Sequence, residues 1–144
     1  METEQMTQVG QLERKTQNRI VKLFQDQLKY TYYGNWEERE NNSNIEEEYL
    51  RAYLEKKKYS DTLIKKAISE LKKTANKSSV SLYDLNKDTY SMLRYSAKEK
   101  EALGKHKQDV KFIDWEHPEE NDFAIAEEVT IKGNRTKRPD IVLY

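Results

Sequence analysis

Lys137-Arg138-Pro139-Asp140-Ile141-Val142-Leu143-Tyr144 is the stretch on which the reading of this chain turns. Pro139 locks its own φ and lacks a backbone N–H, so it belongs at the first position of a strand and not inside one. The residues after Asp140 are apolar on both faces, as expected of a strand buried in the middle of a sheet. Asp140 is then a lone carboxylate at the mouth of an apolar strand, a position suited to chemistry. Cleaving a phosphodiester calls for a hard cation such as Mg²⁺, which neutralises the phosphate and activates water, and carboxylate oxygens are its protein ligands. One acid does not complete such a site, and a plain strand-opening turn residue is the structural alternative. A buried strand that stops on its apolar residues leaves its next neighbour unsupplied, so the chain is expected to be the front part of a larger domain.

Immediately before this strand, Lys132, Arg135, Lys137 and Arg138 form a basic turn. It is suited to holding DNA phosphates beside Asp140, or equally to being a solvated hairpin tip. Further upstream the apolar period is two: Phe123 to Ala126, then Val129 and Ile131, predict a strand that runs to the turn Lys132-Gly133-Asn134. Val110 and Phe112 alternate against Lys111, with Ile113 and Trp115 on the opposite face, which predicts a strand ended by Pro118. These two strands are expected to pair with each other.

The first hundred residues follow the helical period instead. Residues 12–28 carry Leu12, Thr16, Ile20, Leu23, Phe24, Gln27 and Leu28 at helical spacing. A polar connector with Tyr30, Tyr32, Tyr33 and Trp36 follows; its aromatics suit stacking on bases, but covering a core edge is the preferred reading. A second helix is expected from Ile45 to about Lys57, opened by a capping box of Ser43 with Glu46 or of Asn44 with Glu47. Ser60 predicts the cap of a third helix with the stripe Ile64, Ala67, Ile68, Leu71 and Ala75, ending near Asn76. Ser81 with Asp84 predicts a fourth, along Leu82, Leu85, Thr89, Met92 and Leu93, stopped by Gly104. The class expected is α/β, with a helix-rich amino-terminal part packed on a mixed β-sheet. One domain is expected over residues 1–144, with a helical insertion at about 60–103.

On the wheel of the second helix, Glu46 falls among Ile45, Tyr49, Leu50 and Tyr53, while Glu47 and Glu48 fall outside that arc. A carboxylate on the inner side of a helix is costly unless it meets a cation or a donor, as catalytic and metal-binding acids do. Completing the capping box with Ser43 is the competing reading of Glu46.

Composition narrows the classes. With 26 Lys and Arg against 26 Asp and Glu in 144 residues the formal charge is zero, so any contact with a polyanion must be local. The length suits one ordinary domain. A mean hydropathy of −1.10 would permit disorder, but the aromatic residues fall inside patterned segments and Gly and Pro are few. There is no cysteine, hence no disulfide framework, thiolate metal site or cysteine nucleophile. His106 and His117 lack metal-ligand spacing and read as surface residues. A polar start without an apolar signal core, and no run long enough to span a bilayer, make the cytoplasm the expected location. Three Asn-x-Ser/Thr tripeptides, at Asn41, Asn76 and Asn134, are chance matches in that setting. No Gly-rich phosphate loop is present, so no ATP site is expected in these residues.

Four stretches, in order, carry a family resemblance: Glu13-Arg14-Lys15-Thr16-Gln17-Asn18-Arg19; the run from Asn35-Trp36-Glu37 through Ile45-Glu46-Glu47-Glu48; Asn121-Asp122-Phe123-Ala124-Ile125-Ala126-Glu127-Glu128-Val129; and Lys137 to Tyr144. Together they resemble the amino-terminal nuclease region of the R subunit of type I restriction enzymes, in the PD-(D/E)xK nuclease superfamily. The resemblance implies a restriction-endonuclease-like core, truncated here, in which Asp140 matches the metal-binding aspartate. It also matches Glu46 to the acid of the first core helix, with Glu48 the weaker candidate. A Glu-x-Lys pair on the next strand lies beyond Tyr144. The implied activity is Mg²⁺-dependent cleavage of double-stranded DNA by the full-length, ATP-dependent protein in complex with methylation and specificity subunits, and the residues in hand are expected to be inactive alone. The rival expectation is a non-catalytic domain that docks a subunit or guides DNA. Sequence specificity and oligomeric state are not encoded in any motif here.

Overall fold

The computed structural model describes residues 8–144, and the polar start of the chain, residues 1–7, lies outside the described residues. Along the chain the elements are α1 (Gln8–Asp26), β1 (Thr31–Asn35), α2 (Glu47–Lys56), α3 (Asp61–Ala75), α4 (Leu82–Tyr95), β2 (Ala97–Glu99), β3 (Gln108–Val110), a 3-10 turn (Pro118–Glu120), β4 (Ala124–Glu127) and β5 (Ile141–Leu143). The chain is thus mixed α/β. Its described residues divide into two compact units, one of residues 8–43 and 122–144 and the other of residues 44–121. Among the described residues no helix is long and apolar enough to cross a membrane.

The first unit holds α1 and a three-stranded sheet of order β1-β4-β5. β4 runs parallel to β1 and antiparallel to β5, so the sheet is mixed, as expected. β4 is the middle strand and all four of its residues are buried. β5, expected in the centre, is the outer strand of the described sheet and is half-buried, because its two-sided apolar run has a ladder partner on one side only. The expected pairing of the strand near Val110 with the strand near Ile125 does not occur. The partner of β4 on that side is β1, inside the aromatic connector that had no strand pattern. The register of β1 slips between Tyr32 and Gly34, where Gly34 has φ +101, a conformation that L side chains rarely adopt. β4 is also shorter than expected: Glu128, at φ 50, ends it before Val129 and Ile131, and Ile131 instead bridges to Lys137.

The aromatics of the connector serve the core of this unit. Trp36 is buried with Ala126 and Val129, and Tyr33, Val142 and Tyr144 pack around them. Tyr30 stacks on Phe123 and meets Phe24 edge-on. The face that α1 turns inward differs from the apolar stripe: Gln17 and Val21 are buried while Leu12 and Leu23 are exposed, and Leu28, beyond the helix end, is exposed too. The reason is a polar partner in β4, described below.

The second unit packs α2 and α4 with α3 and the β2–β3 hairpin. Ser60 caps α3 by accepting from the Leu63 amide at 3.3 Å, and of the expected stripe Ile64, Ala67, Ile68 and Leu71 are buried while Ala75 is half-buried; Leu63 and Thr74 join the buried side. Leu54, Ala97, Val110 and Phe112 complete that core. Ser81 caps α4 as expected, accepting from the Asp84 amide at 3.1 Å. The helix stops at Tyr95, well short of Gly104, because Ser96 turns to φ 83 and releases Ala97 into the core as the first residue of β2. β2 pairs antiparallel with β3, joining Ala97 to Val110, and Gly104 serves the connection at φ +79. α2 begins at Glu47 with Glu46, not Ser43 or Asn44, as its N-cap residue. Pro118, expected to end a strand, opens the 3-10 turn. There Asn121 accepts from the Tyr53 hydroxyl at 3.0 Å and from the Asp114 amide at 2.8 Å, closing the unit. Asp114 accepts from the His117 amide at 2.9 Å and meets Lys57 at 3.3 Å; the amide bond first, then the lysine, hold its carboxyl below the usual carboxylate range.

Ile64 is 0% exposed in the core, whereas Leu103 projects fully into solvent at 102%. Ile64→Ala is expected to destabilise the protein by about 2–5 kcal/mol in urea denaturation. Leu103→Ala should leave the midpoint unchanged, and equal effects of the two substitutions would show that the assigned core is wrong.

Candidate functional site

Glu127 ends the buried middle strand with its carboxylate inside the first unit, 7% exposed. A buried carboxylate stays charged only where donors replace its water. The Tyr32 hydroxyl of β1 donates to Oε1 at 2.7 Å, Gln17 Nε2 of α1 donates to Oε2 at 2.7 Å, and an Arg14 guanidinium nitrogen lies 3.5 Å from Oε2. Arg14 and Gln17 are three residues apart and share one helix face, which is why α1 turns polar side chains inward. Burial, reinforced by the hydrogen bond and negative charge of Glu127, pushes the Tyr32 phenol from 10.0 up to about 12, with Arg14 opposing.

Successive strand residues point to opposite faces, so Glu127 and Glu128 would ordinarily diverge. The left-handed backbone of Glu128 bends the chain, and the same Gln17 amide reaches Glu128 Oε1 at 3.3 Å. Glu128 Oε2 in turn meets Arg138 Nε at 3.1 Å, and Arg138 also pairs with Glu37. The Glu128 amide donates to the Asp140 carbonyl at 2.9 Å and the Val129 amide to the Pro139 carbonyl at 3.1 Å. The Arg138-Pro139-Asp140 segment just before β5 is therefore tied to the end of β4 and the residues after it by two backbone bonds and one ion pair.

Asp140 itself is exposed, and among the described residues no ion pair or side-chain hydrogen bond engages its carboxylate. Lys132, Arg135, Lys137 and Arg138 are exposed in the same unit. Arg138 is committed to Glu37 and Glu128, which separates it from the other three cations of the turn. Glu46 lies in the second unit, half-buried, its carbonyl accepting from the Leu50 amide at 3.0 Å. As the N-cap it has non-helical backbone, φ −86 and ψ 87, so the wheel that singled it out applies only from Glu47 onward. Glu47 meets Lys72 at 3.0 Å and Arg51 at 3.4 Å; the Lys72 hydrogen bond first holds its carboxyl below the usual range. Glu48 is exposed, as are His106 and His117.

A Mg²⁺ ion needs several oxygen ligands. Among the described residues no three Asp, Glu or His side chains cluster as they would around a metal ion. The acids nearest to Asp140 along the ladder are Glu127 and Glu128, and both are spent on Gln17, Tyr32, Arg14 and Arg138. Glu127 and Gln17 escaped the sequence reading; the signal available was a glutamate pair closing an otherwise apolar strand, and a glutamine recurring with Arg14 at helical spacing.

The Tyr32 shift has a definite sign. The fold favours the neutral phenol, so its contribution is fully present below about pH 10, where the unfolded phenol titrates, and is lost as pH rises towards 12. Urea denaturation across about pH 9 to 12 is expected to show a decline that Tyr32→Phe makes shallower. Parallel declines in the two proteins would remove the phenol from the account.

Residues 10–144 match the family described as Type I restriction enzyme R protein N terminus. No curated protein and no solved structure gives a significant match to the chain. The matched span takes in the Arg14–Gln17–Glu127 network, the Glu46 cap and the Pro139-Asp140 strand start, and so the chain belongs to the family of amino-terminal regions of type I restriction enzyme R proteins.

Proposed function

We propose that this chain is the first part of the endonuclease domain of a type I restriction enzyme R subunit, of the PD-(D/E)xK type. The observation that carries the proposal is Asp140: within a family of restriction-enzyme R proteins, an exposed carboxylate follows a proline at the start of a strand whose position is braced from the neighbouring strand. In the full-length protein Asp140 binds Mg²⁺ together with Glu46, with Glu48 the weaker candidate, and a Glu-x-Lys pair from a following strand completes the donors. Bound there, the cation would neutralise the scissile phosphate and activate water. Lys132, Arg135 and Lys137 face the DNA backbone. Arg138, held by Glu37 and Glu128, positions the Asp140 segment and contributes little to phosphate binding.

The substrate is double-stranded DNA, cleaved in the cytoplasm by an ATP-dependent complex with methylation and specificity subunits. ATP is bound by other parts of that protein. Without that Glu-x-Lys pair, residues 1–144 hold only part of the site and are inactive alone.

Plasmid cleavage by the assembled R, methylation and specificity subunits, with Mg²⁺ and ATP, tests this reading. Asp140→Ala in the intact R subunit is expected to lower cleavage by about a hundredfold or more, since metal stabilisation of the transition state is worth several kcal/mol. Glu46→Ala should act in the same direction and Glu48→Ala should not. Full cleavage by a folded Asp140→Ala enzyme would exclude Asp140 from the site. Cleavage by residues 1–144 alone would contradict the proposed incompleteness.

A further inference from the structure

The chain has no net charge, yet the second unit concentrates positive charge in one groove. α3 contributes Lys65, Lys66 and Lys73, β2 and the residue after it contribute Lys98 and Lys100, and Lys107 precedes β3. These six lysines share the groove with two acids, Glu70 and Glu99, an excess of four positive charges. Ser69 is the remaining lining residue, so no apolar side chain faces the groove. Its walls are held together within the unit, since Lys66 Nζ donates to the Lys100 carbonyl at 2.5 Å.

We propose that this groove binds the sugar-phosphate backbone of double-stranded DNA without reading its sequence. The inference rests on the nuclease reading only for the choice of DNA as the polyanion. Three observations support it. Like charges brought together from three elements repel one another unless a polyanion is at hand. Lys65, Ser69 and Lys73 recur every four residues on one face of α3; at 1.5 Å per residue they span about 12 Å, the axial rise of about three to four nucleotides of one strand. Finally, a protein-binding surface relies on buried aromatic and apolar anchors, and this groove has none, whereas phosphate contacts need only cations and small donors. The ion pairs of Lys65 with Asp61 at 3.0 Å and of Lys98 with Asp109 at 4.0 Å are exposed and easily exchanged for phosphate.

The test measures binding of a fluorescent duplex of arbitrary sequence, about 30 base pairs long, across a series of salt concentrations in a chelator, so that no cleavage step enters. The variant Lys73→Gln, Lys100→Gln, Lys107→Gln, checked for an unchanged circular dichroism spectrum and melting temperature, is expected to bind at least roughly tenfold more weakly. It should also reduce the salt-dependence slope by about 2 to 3, near 0.9 for each phosphate contact removed. Should the glutamine variant fail to fold, arginine at the same three positions retains the charge and is expected to retain both affinity and slope. The proposal is overturned if the parent chain does not bind the duplex, if the folded glutamine variant binds with the same slope, or if the arginine variant loses binding. Unchanged DNA binding with lost assembly onto the methylation and specificity subunits would assign the groove to an acidic protein surface instead. None of these outcomes bears on whether Asp140→Ala abolishes cleavage, so the two readings fail separately.

Discussion

A carboxylate at the end of a sheet's middle strand is largely withdrawn from solvent, and Glu127 is held by donors from two other elements. Tyr32 comes from the adjacent strand β1, and Arg14 and Gln17 come from one face of α1. Several features of the first unit follow from satisfying this one group. It explains why α1 presents polar residues inward and leaves Leu12 and Leu23 in solvent, and it adds a side-chain bond to the parallel pairing of β1 and β4. Truncating one of these partners would leave buried charge uncompensated, which costs far more than the pair contributes when intact.

The same network reaches the position that the family resemblance marks. Gln17 bridges Glu127 to Glu128, Glu128 grips Arg138, and the Glu128 and Val129 amides take the carbonyls of Asp140 and Pro139. Asp140 is exposed, but the backbone that carries it is braced from a buried strand. That combination suits a metal ligand, which must meet solvent and substrate while its geometry stays defined. Within the basic turn Arg138 is exposed like Lys132, Arg135 and Lys137, and it pairs with Glu37 and Glu128.

In the second unit the division is between a well-packed interior and a strongly patterned exterior. The inner side of α3 buries Leu63, Ile64, Ala67, Ile68 and Leu71, and its outer side supplies half the lysines of the groove. Amphipathicity serves two ends here: the apolar stripe holds the hairpin against the helix, and the polar stripe joins the lysines that the hairpin brings. A zero net charge for the whole chain concealed this segregation, because charge sums ignore position.

What was legible in advance had local causes. Ser60 and Ser81 cap their helices because a hydroxyl can satisfy an amide three residues away, and the stripe of α3 follows from 3.6 residues per turn. Pro139 at the start of a strand and Trp36 in a core needed only the chemistry of those side chains. Asp140 was singled out as a lone acid at a strand mouth and Glu46 by the helix wheel, and the family resemblance then gave both their roles; the wheel's support for Glu46 fell away once Glu46 proved to be the cap and not a helical residue. By itself the sequence determined the α/β class, helices α1 and α3 and the strand opening at Pro139, because helix periods, caps and proline act within a few residues. Tertiary structure alone decided that β1 pairs with β4, that Ala97 leaves α4 to pair with Val110, and that Glu127 meets Gln17. These contacts join residues far apart in the chain, and a strand's partner or a buried acid's donor is chosen by whatever the fold brings alongside it, which no local pattern records.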